Sequence, residues 1–299
     1  VQVHHKPEKE DWYGWLFPNF KSGLDAIHEC HRGDCMPTVT RLNDPKKTAL
    51  SFAFKHPKTG IKDKIAKAFK WYIGNVKKID FNQCCLMVVK YEGTPQAFNR
   101  IKNRVTAIYK KHRGVCLGAE PGRSFAKVKF DFPHLRDYVM DRSIMADVSE
   151  TATTWDNLRT LHESGLADVE QAIKDTGVDA WVGCHLSHSY RTGASLYFTF
   201  GCLQREGREI EQYLYVKKAA EDAFMKNGGT LSHHHAVGTE HLPWVEEDLS
   251  PTGLKAVKAL KAGLDPNDIM NPGKIIPSEK PLDDWGLSAE AIDEFQSRS

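Results

Sequence analysis

Three consecutive histidines lie in a glycine-flanked segment, residues 228–238, which reads Gly-Gly-Thr-Leu-Ser-His-His-His-Ala-Val-Gly. Successive side chains project in different directions, so His233, His234 and His235 can meet different partners. Imidazoles titrate near neutral pH and suit proton transfer, and the flanking glycines favour a constrained turn that presents them to a pocket. A solvated loop is the alternative. Metal binding by three adjacent residues is geometrically awkward, and we predict no metal site.

A second segment, residues 195–200, reads Ser-Leu-Tyr-Phe-Thr-Phe and is typical of a strand. Its period of two places Leu196, Phe198 and Phe200 on one face and Tyr197 and Thr199 on the other. The apolar face predicts a core contact, and the polar face can line a cavity. A buried tyrosine hydroxyl is more often a simple hydrogen-bonding group than a catalytic one, so both interpretations of Tyr197 stay open.

Two arginines are candidates for binding an anion. Arg41 ends a short apolar run, residues 37–42, and Arg136 lies in a Phe-Pro-His-Leu-Arg-Asp sequence. A guanidinium at a strand end is a bidentate clamp for phosphate or carboxylate. A surface ion pair is the alternative for either residue.

Other catalytic and metal patterns are weak or missing from the sequence. His28, Cys30, His31 and Cys35 resemble half of a zinc site, but the second pair of ligands has no counterpart. There is no Walker loop, no GxGxxG, no GxSxG and no CxxC pair. The P-loop, Rossmann and α/β-hydrolase classes therefore have no motif to support them.

Composition narrows the class of protein. The 299 residues are 40% hydrophobic, which is enough for a sizeable core. A net charge of +2 gives no electrostatic case for nucleic acid binding. No apolar run approaches the roughly 20 residues of a membrane helix, and no signal peptide is visible. Seven irregularly spaced cysteines favour reduced thiols in a cytoplasmic protein.

The elements that would position these residues alternate between strands and amphipathic helices, which predicts an α+β fold with helices packed on a mixed sheet. We expect one domain over residues 1–228 and a helical C-terminal segment over residues 229–299. The expected strands are residues 12–17, 38–42, 84–91, 181–187 and 195–200. The expected helices follow Asn19 and Thr94 and cover residues 61–73, 210–224 and 252–262.

The motifs together resemble one family. Residues 228–238 look like the histidine motif of the alkyldihydroxyacetonephosphate synthases, a branch of the vanillyl-alcohol-oxidase-type flavoproteins. Residues 264–274, Leu-Asp-Pro-Asn-Asp-Ile-Met-Asn-Pro-Gly-Lys, look like the end of the C-terminal domain of FAD-linked oxidases in general. Further matches follow in the family's order at residues 17–20, 41–44, 135–137 and 196–198. The resemblance implies a cap domain with a ferredoxin-like, mixed or antiparallel sheet.

The resemblance also implies roles for the candidate residues. Tyr197 matches the tyrosine that donates and accepts protons, and residues 233–235 match the histidine run needed for activity. Arg136 matches an arginine that binds substrate, and Arg41 matches another functionally sensitive arginine.

FAD is the cofactor that the resemblance implies, with His234 and Asn271 as its contacts in this chain. The family's N-terminal FAD domain, with its glycine-rich loop, has no counterpart here. We therefore expect a substrate-side fragment of a longer flavoprotein that binds FAD poorly alone, with the segment from residue 229 packed on the missing domain.

The implied reaction exchanges the acyl group of acyl-dihydroxyacetone phosphate for a fatty alcohol, with no net redox change. It implies phosphorylated-ketone and long-chain lipid substrates, a possible homodimer and at most peripheral membrane contact. It also implies a cytoplasmic location, or a peroxisomal one in a eukaryote.

Two alternatives stay open. An FAD-linked 2-hydroxy-acid dehydrogenase would carry a Gly-His-x-Gly-Asp-Gly-Asn-x-His metal motif, but residues 183–190 read Gly-Cys-His-Leu-Ser-His-Ser-Tyr. A non-catalytic binding homologue is the second alternative. The ending Asn-Pro-Gly-Lys-Ile-Ile at residues 271–276 resembles bacterial oxidase-like members, which leaves the substrate open.

Overall fold

The computed structural model of the chain describes residue 3 and residues 5–53 and 60–297. The strands are β1 (Lys9–Phe17), β2 (Val39–Asn43), β3 (Cys85–Gly93), β4 (Val115–Gly118), β5 (Ile144–Thr154), β6 (Trp181–Ser189) and β7 (Gly193–Leu203). The helices are α1 (Phe20–Arg32), α2 (Pro45–Ala53), α3 (Ile61–Trp71), α4 (Pro95–Lys111), α5 (Glu120–Val128), α6 (Phe132–Met140), α7 (Leu158–Asp175), α8 (Glu209–Lys226), α9 (Val245–Leu264), α10 (Pro281–Trp285) and α11 (Ala289–Gln296). The predicted α+β class is confirmed.

The chain forms two compact units. One comprises Val1–His134 and Gly183–Thr192, and the other comprises Leu135–Val182 and Gly193–Ser299. Residue 228, where we predicted a domain boundary, lies inside the second unit. The segment that follows it hydrogen-bonds to β5 of the same unit. The predicted two-domain division stays a prediction.

The first unit has the β-α-β-β-α-β order of a ferredoxin-like fold. Its antiparallel strands lie in the order β4-β1-β3-β2, with β6 beside β2. Helices α1 and α4 contact each other and this sheet. The core is aromatic: Tyr109 of α4 meets the rings of Trp15 and Phe17 edge-on, at centroid distances of 5.2 and 5.4 Å.

The second unit is built on the long antiparallel ladder between β5 and β7. Helices α7 and α8 pack together and against this ladder, and the ring of Phe198 on β7 lies 5.0 Å from that of Phe224 on α8. The C-terminal helix α11 is docked, because Phe295 is fully buried and lies 5.0 Å from the ring of Tyr215. Residues 298 and 299 lie outside the described residues.

Each predicted strand and helix corresponds to an observed element, with ends shifted by a few residues. The sequence patterns missed β4, β5 and the long helix α7, among others. Strand β5 lacks apolar alternation because its buried centre is Ser149, Glu150 and Thr151. Among the described residues, no helix is both long enough and apolar enough to cross a membrane.

Candidate active site

The site in the second unit is built on the middle of the β5–β7 ladder. Glu150 on β5 lies directly opposite Tyr197 on β7, and directly opposed residues of an antiparallel pair project from the same face. The neighbouring pair, Ser149 and Phe198, projects from the other face, where Phe198 meets α8. The period-two argument for Tyr197 is therefore consistent with the observed strand.

The histidine segment reaches β5 through two glycines at the end of α8. Gly228 has a φ of +71°, which favours glycine. Gly229 passes so close to β5 that a Cβ atom there would lie 2.5 Å from Oγ1 of Thr151. The backbone N–H of Thr230 then donates to the carbonyl of Ala152 (2.9 Å), and its hydroxyl accepts from the Ala152 N–H (3.0 Å). These contacts attach the segment to the edge of β5.

A buried carboxylate holds the histidine run in place. Oε1 of Glu150 accepts hydrogen bonds from the backbone N–H groups of His233 (2.7 Å), His234 (2.6 Å) and His235 (3.0 Å). It also accepts one from the hydroxyl of Ser232 (2.9 Å). Successive amides that point at one anion form a nest, here filled by the protein's own carboxylate. The three side chains are thereby left to project away from the shared anchor.

Glu150 is ionised at every physiological pH. Its side chain is 1% exposed, and burial alone would raise its pKa. The backbone N–H groups of the histidine run and the Ser232 hydroxyl outweigh that effect and lower the pKa of Glu150 to about 2. The anchor is therefore a fixed negative charge under the histidines.

The imidazoles and the tyrosine ring form one cluster. The His234 ring stacks on Tyr197 with centroids 6.2 Å apart, and the His235 ring meets Tyr197 edge-on at 5.2 Å. Nδ1 of His234 lies 3.1 Å from Oε2 of Glu150 and 3.1 Å from Nδ1 of His233. The same nitrogen of His234 therefore lies beside both the carboxylate and the His233 ring. Burial lowers the pKa of His235, so its neutral form prevails at neutral pH.

Strand β5 is also secured by a buried ammonium group. Nζ of Lys217, a residue that is 2% exposed, donates to the carbonyl of Val148 and the hydroxyl of Ser149, both at 2.8 Å. It lies 2.6 Å from a carboxylate oxygen of Glu240 and 3.4 Å from one of Asp147. Burial alone would lower the pKa of Lys217, but these carboxylates raise it. The ammonium therefore stays charged and ties α8 to β5.

The other predicted site residues have different surroundings. Arg136 lies on α6 with its side chain 56% exposed, and its Nη2 is 4.0 Å from Oδ1 of Asp147. Asn271 is exposed at a φ of +50°, and its carbonyl accepts from the Lys274 N–H. Arg41 belongs to the first unit, where its guanidinium lies 5.3 Å from the ring of Phe125. The structure thus joins Tyr197 to the histidines and places Arg136 beside β5.

The residues that resemble half of a zinc site, on and just after α1, contact other protein groups. Glu29 accepts from Lys111 and His112, and Nε2 of His31 lies 2.9 Å from the hydroxyl of Ser189. The Cys35 thiol donates to the carbonyl of Cys30, and burial raises the pKa of the Cys30 thiol. A neutral, buried thiol is a poor metal ligand.

Sequence reasoning missed Glu150 and Lys217. Both are charged residues in buried positions, and their partners come from segments that are distant in sequence. The hydrophobic period of the sequence does not indicate that either residue is buried. An acidic residue between Ser149 and Thr151 is as typical of a solvated strand as of a buried one.

The sequence of this chain is similar to those of several known proteins. Residues 6–275 match the family model described as "FAD linked oxidases, C-terminal domain". The chain is 35% identical over 280 residues to an alkyldihydroxyacetonephosphate synthase of Dictyostelium discoideum, covering 94% of this chain and 46% of that protein. It is 35% identical to the synthase of Trypanosoma brucei brucei, covering 93% of this chain and 45% of that protein.

A solved structure of an alkyldihydroxyacetonephosphate synthase superposes with a TM-score of 0.72 at 32% identity, covering 90% of this chain and 46% of that one. The chain therefore spans about half the length of the relatives it matches. The resemblance stated from the sequence motifs is confirmed. The family match, which covers most of the chain, shows that this protein belongs to the FAD-linked oxidases through their C-terminal domain.

Proposed function

We propose that the chain is the substrate-side part of a flavin-dependent alkyldihydroxyacetonephosphate synthase-like enzyme. The reaction replaces the acyl group of acyl-dihydroxyacetone phosphate by a fatty alcohol, with release of a fatty acid and no net redox change. Relatives that carry the synthase name support this proposal. The observation that carries it is the cluster of Tyr197 and the histidine run, held by Glu150.

This reaction needs a base for the carbon beside the ketone and an acid/base for the departing and arriving oxygens. The neutral imidazole of His235 supplies a basic nitrogen, and the ring of His234 lies beside it with centroids 4.6 Å apart. The phenol of Tyr197, in ring contact with both, supplies a hydroxyl that gives and regains a proton. Glu150 keeps these groups in one arrangement, which removes the entropy cost of assembling them for each turnover.

The donor set is suited to a flavin. Imidazole and phenol groups present both donors and acceptors, as the nitrogen and oxygen edge of an isoalloxazine ring requires. His234 would contact the flavin from the cluster, and Asn271 would do so from the exposed 265–275 segment. When bound, the flavin supplies the electrophilic ring that the side chains of this chain lack. The remainder of the cofactor would be held by an N-terminal FAD domain in a longer polypeptide.

Arg136 provides the substrate contact of the second unit. Its exposed guanidinium can make a bidentate contact with an oxyanion, and Asp147 at 4.0 Å limits its freedom. Long-chain lipid substrates imply peripheral membrane contact, and the enzyme would act in the cytoplasm, or in the peroxisome in a eukaryote.

The test uses the longest natural polypeptide that contains this chain, loaded with FAD. It is incubated with acyl-dihydroxyacetone phosphate and an isotope-labelled fatty alcohol, and in parallel with D-lactate and a dye acceptor. Labelled ether product without dye reduction is expected. Dye reduction without ether product would instead identify a hydroxy-acid dehydrogenase. Failure of the polypeptide to bind flavin would identify a non-catalytic homologue.

A further inference from the structure

A buried histidine, His241, follows the histidine segment (residues 228–238) and has no role in the reaction proposed above. It is 4% exposed, and its backbone N–H donates to the carbonyl of Val237 at 3.2 Å. Nδ1 of its ring lies 3.0 Å from the same carbonyl oxygen. His241 therefore holds Val237, the second residue after His235, with both its backbone and its side chain.

The other ring nitrogen of His241 faces a buried carboxylate. Nε2 lies 3.6 Å from Oε1 of Glu221, a fully buried residue of α8. Among the described residues, neither carboxylate oxygen of Glu221 has a hydrogen-bond partner. A buried carboxylate without hydrogen bonds needs a positive charge close by. His241 provides that charge when both of its nitrogens are protonated.

Both ring nitrogens of His241 have an acceptor as their neighbour. A carbonyl oxygen only accepts, so Nδ1 carries a proton, and the carboxylate of Glu221 favours a second proton on Nε2. Burial alone would lower the pKa of His241, but Glu221 raises it. The Val237 carbonyl and the charge of Glu240 act in the same direction as Glu221. His241 is therefore an imidazolium in an ion pair with Glu221.

Lys217, one turn before Glu221 on α8, is already matched by carboxylates. Its Nζ lies 2.6 Å from an oxygen of Glu240 and 3.4 Å from one of Asp147. Two negative charges thus face the single charge of Lys217. The charge of Glu221 calls for a second cation, and His241 lies at ion-pair distance.

The backbone between His235 and Val237 is strained. Ala236 has a φ of +68°, in the left-handed region that a residue with a Cβ atom rarely adopts. Glu150 fixes the N–H groups before this point, and His241 fixes the carbonyl after it. The two contacts together hold the strained residue and set the direction of the His235 side chain.

The charge of His241 also acts on His235. Burial is the main cause of the lowered pKa of His235, and the positive charges of Lys217 and His241 lower it further. An imidazolium at position 241 thus helps to keep His235 neutral, as a base requires.

We propose that His241 is a positioning residue of the candidate site, which joins the end of the histidine segment to Glu221 and keeps a positive charge near His235. The proposal rests on the function proposed above and deepens it, since it names what fixes and tunes the proposed base. His241 acts through His235 and not on the substrate.

The first test is titration of the histidines in the 299-residue chain, followed by nuclear magnetic resonance of 15N-labelled imidazoles. His241→Gln and His235→Gln assign the two signals. His241 is expected to titrate above its ordinary value of 6.5 and above His235. In His241→Gln, His235 should titrate at a higher pH than in the wild type, because a nearby positive charge is gone.

Two results of this titration would overturn the proposal. The first is a His241 ring that titrates no higher than His235, since a neutral ring beside a protonated Glu221 forms no ion pair. The second is an unchanged titration of His235 in a folded His241→Gln chain. The measurement on the wild type decides the charge of His241 even if no variant folds.

The second test is a double-mutant cycle in urea unfolding. His241→Gln leaves the charge of Glu221 unpaired and should raise the equilibrium constant for unfolding by about 100-fold or more. Glu221→Gln removes the opposite charge. In the double variant no charge of the pair is left alone, so its effect should be at least about tenfold smaller than the product of the two single effects. Effects that simply multiply would overturn the ion pair.

His112→Gln is the matched control for this cycle. Nε2 of His112 lies 2.8 Å from Oε2 of Glu29, but the two side chains are 20% and 33% exposed. Solvent screens such a pair, so this substitution should change the unfolding constant by no more than about fivefold.

The third test uses the flavin-loaded polypeptide. In His241→Gln, the acidic limb of the pH profile of kcat/KM should move to higher pH, because His235 is protonated more readily. An equal loss at every pH would indicate a purely structural role and overturn the positioning role.

The outcome can be separated from that of the proposed function. If no ether product forms in the wild type, the reaction assignment fails, and the titrations of His241 and His235 still decide the role of His241. If ether product forms with the wild-type rate and pH profile in His241→Gln, the positioning role fails and the reaction assignment stands.

Discussion

Replacement of Glu150 by glutamine tests how the histidine run is held. The carboxylate is buried, and its Oε1 accepts three backbone N–H bonds and one hydroxyl bond. Glutamine keeps a carbonyl oxygen of the same shape at this position but carries no charge. The substitution therefore separates the charge of the anchor from its geometry.

The magnitude follows from the pKa of Glu150, which folding lowers from 4.5 to about 2. A depressed carboxyl pKa stabilises the folded state above the unfolded pKa, here by about 3 kcal/mol. This stabilisation is lost as the pH falls from about 4.5 through about 2, and about 2 kcal/mol of it is gone at pH 3. Because glutamine does not titrate, the wild type should be more stable than Glu150→Gln at pH 6, and this advantage should shrink at pH 3.

The assay is urea unfolding of both chains at pH 6 and at pH 3. Glu163→Gln is the matched control, because Glu163 is exposed and forms an i,i+4 pair with Arg159. Its effect should stay within about 0.5 kcal/mol at both pH values. If the difference between wild type and Glu150→Gln is the same at pH 6 and pH 3, the charged-anchor argument is wrong.

Further predictions concern the site and its support. In the flavin-loaded polypeptide, Tyr197→Phe should retain flavin and fold but lower kcat by about 100-fold or more, as removal of an acid/base group does; unchanged turnover would contradict its role. Arg136→Lys should weaken substrate binding by about 1–3 kcal/mol through loss of the bidentate fork, and an unchanged KM would argue against that contact. Gly229→Ala should destabilise the chain by about 1–3 kcal/mol in urea unfolding, since its Cβ would meet Oγ1 of Thr151 at 2.5 Å. Gly263→Ala on α9 meets no atom within 4 Å and should be neutral or stabilising by up to about 1 kcal/mol. Equal destabilisation by both alanines would show that the close approach at Gly229 is unimportant.

Much of the fold is local in origin and could be predicted. The N-cap and proline at Thr94 and Pro95 start α4, and alternation defines β7. Strand β5 could not be found in this way. Its centre is polar because it serves as the framework for the histidine segment and Lys217, so the apolar period that signals a half-buried strand is missing.

The residues of the candidate site were likewise only partly predictable from the sequence. Tyr197 and the histidines were found from a strand pattern and an unusual run of one residue type. Glu150 was not, since its role depends on amides 83 to 85 positions further along the chain.

The sequence alone determined the fold class, the family resemblance and the face of β7 that carries Tyr197. These properties depend on short-range periodicity and on motifs that survive without their surroundings. The tertiary structure decided which charges are buried and what they meet. A carboxylate becomes an anchor only when distant segments close around it, because burial and proximity set the energy of a charge.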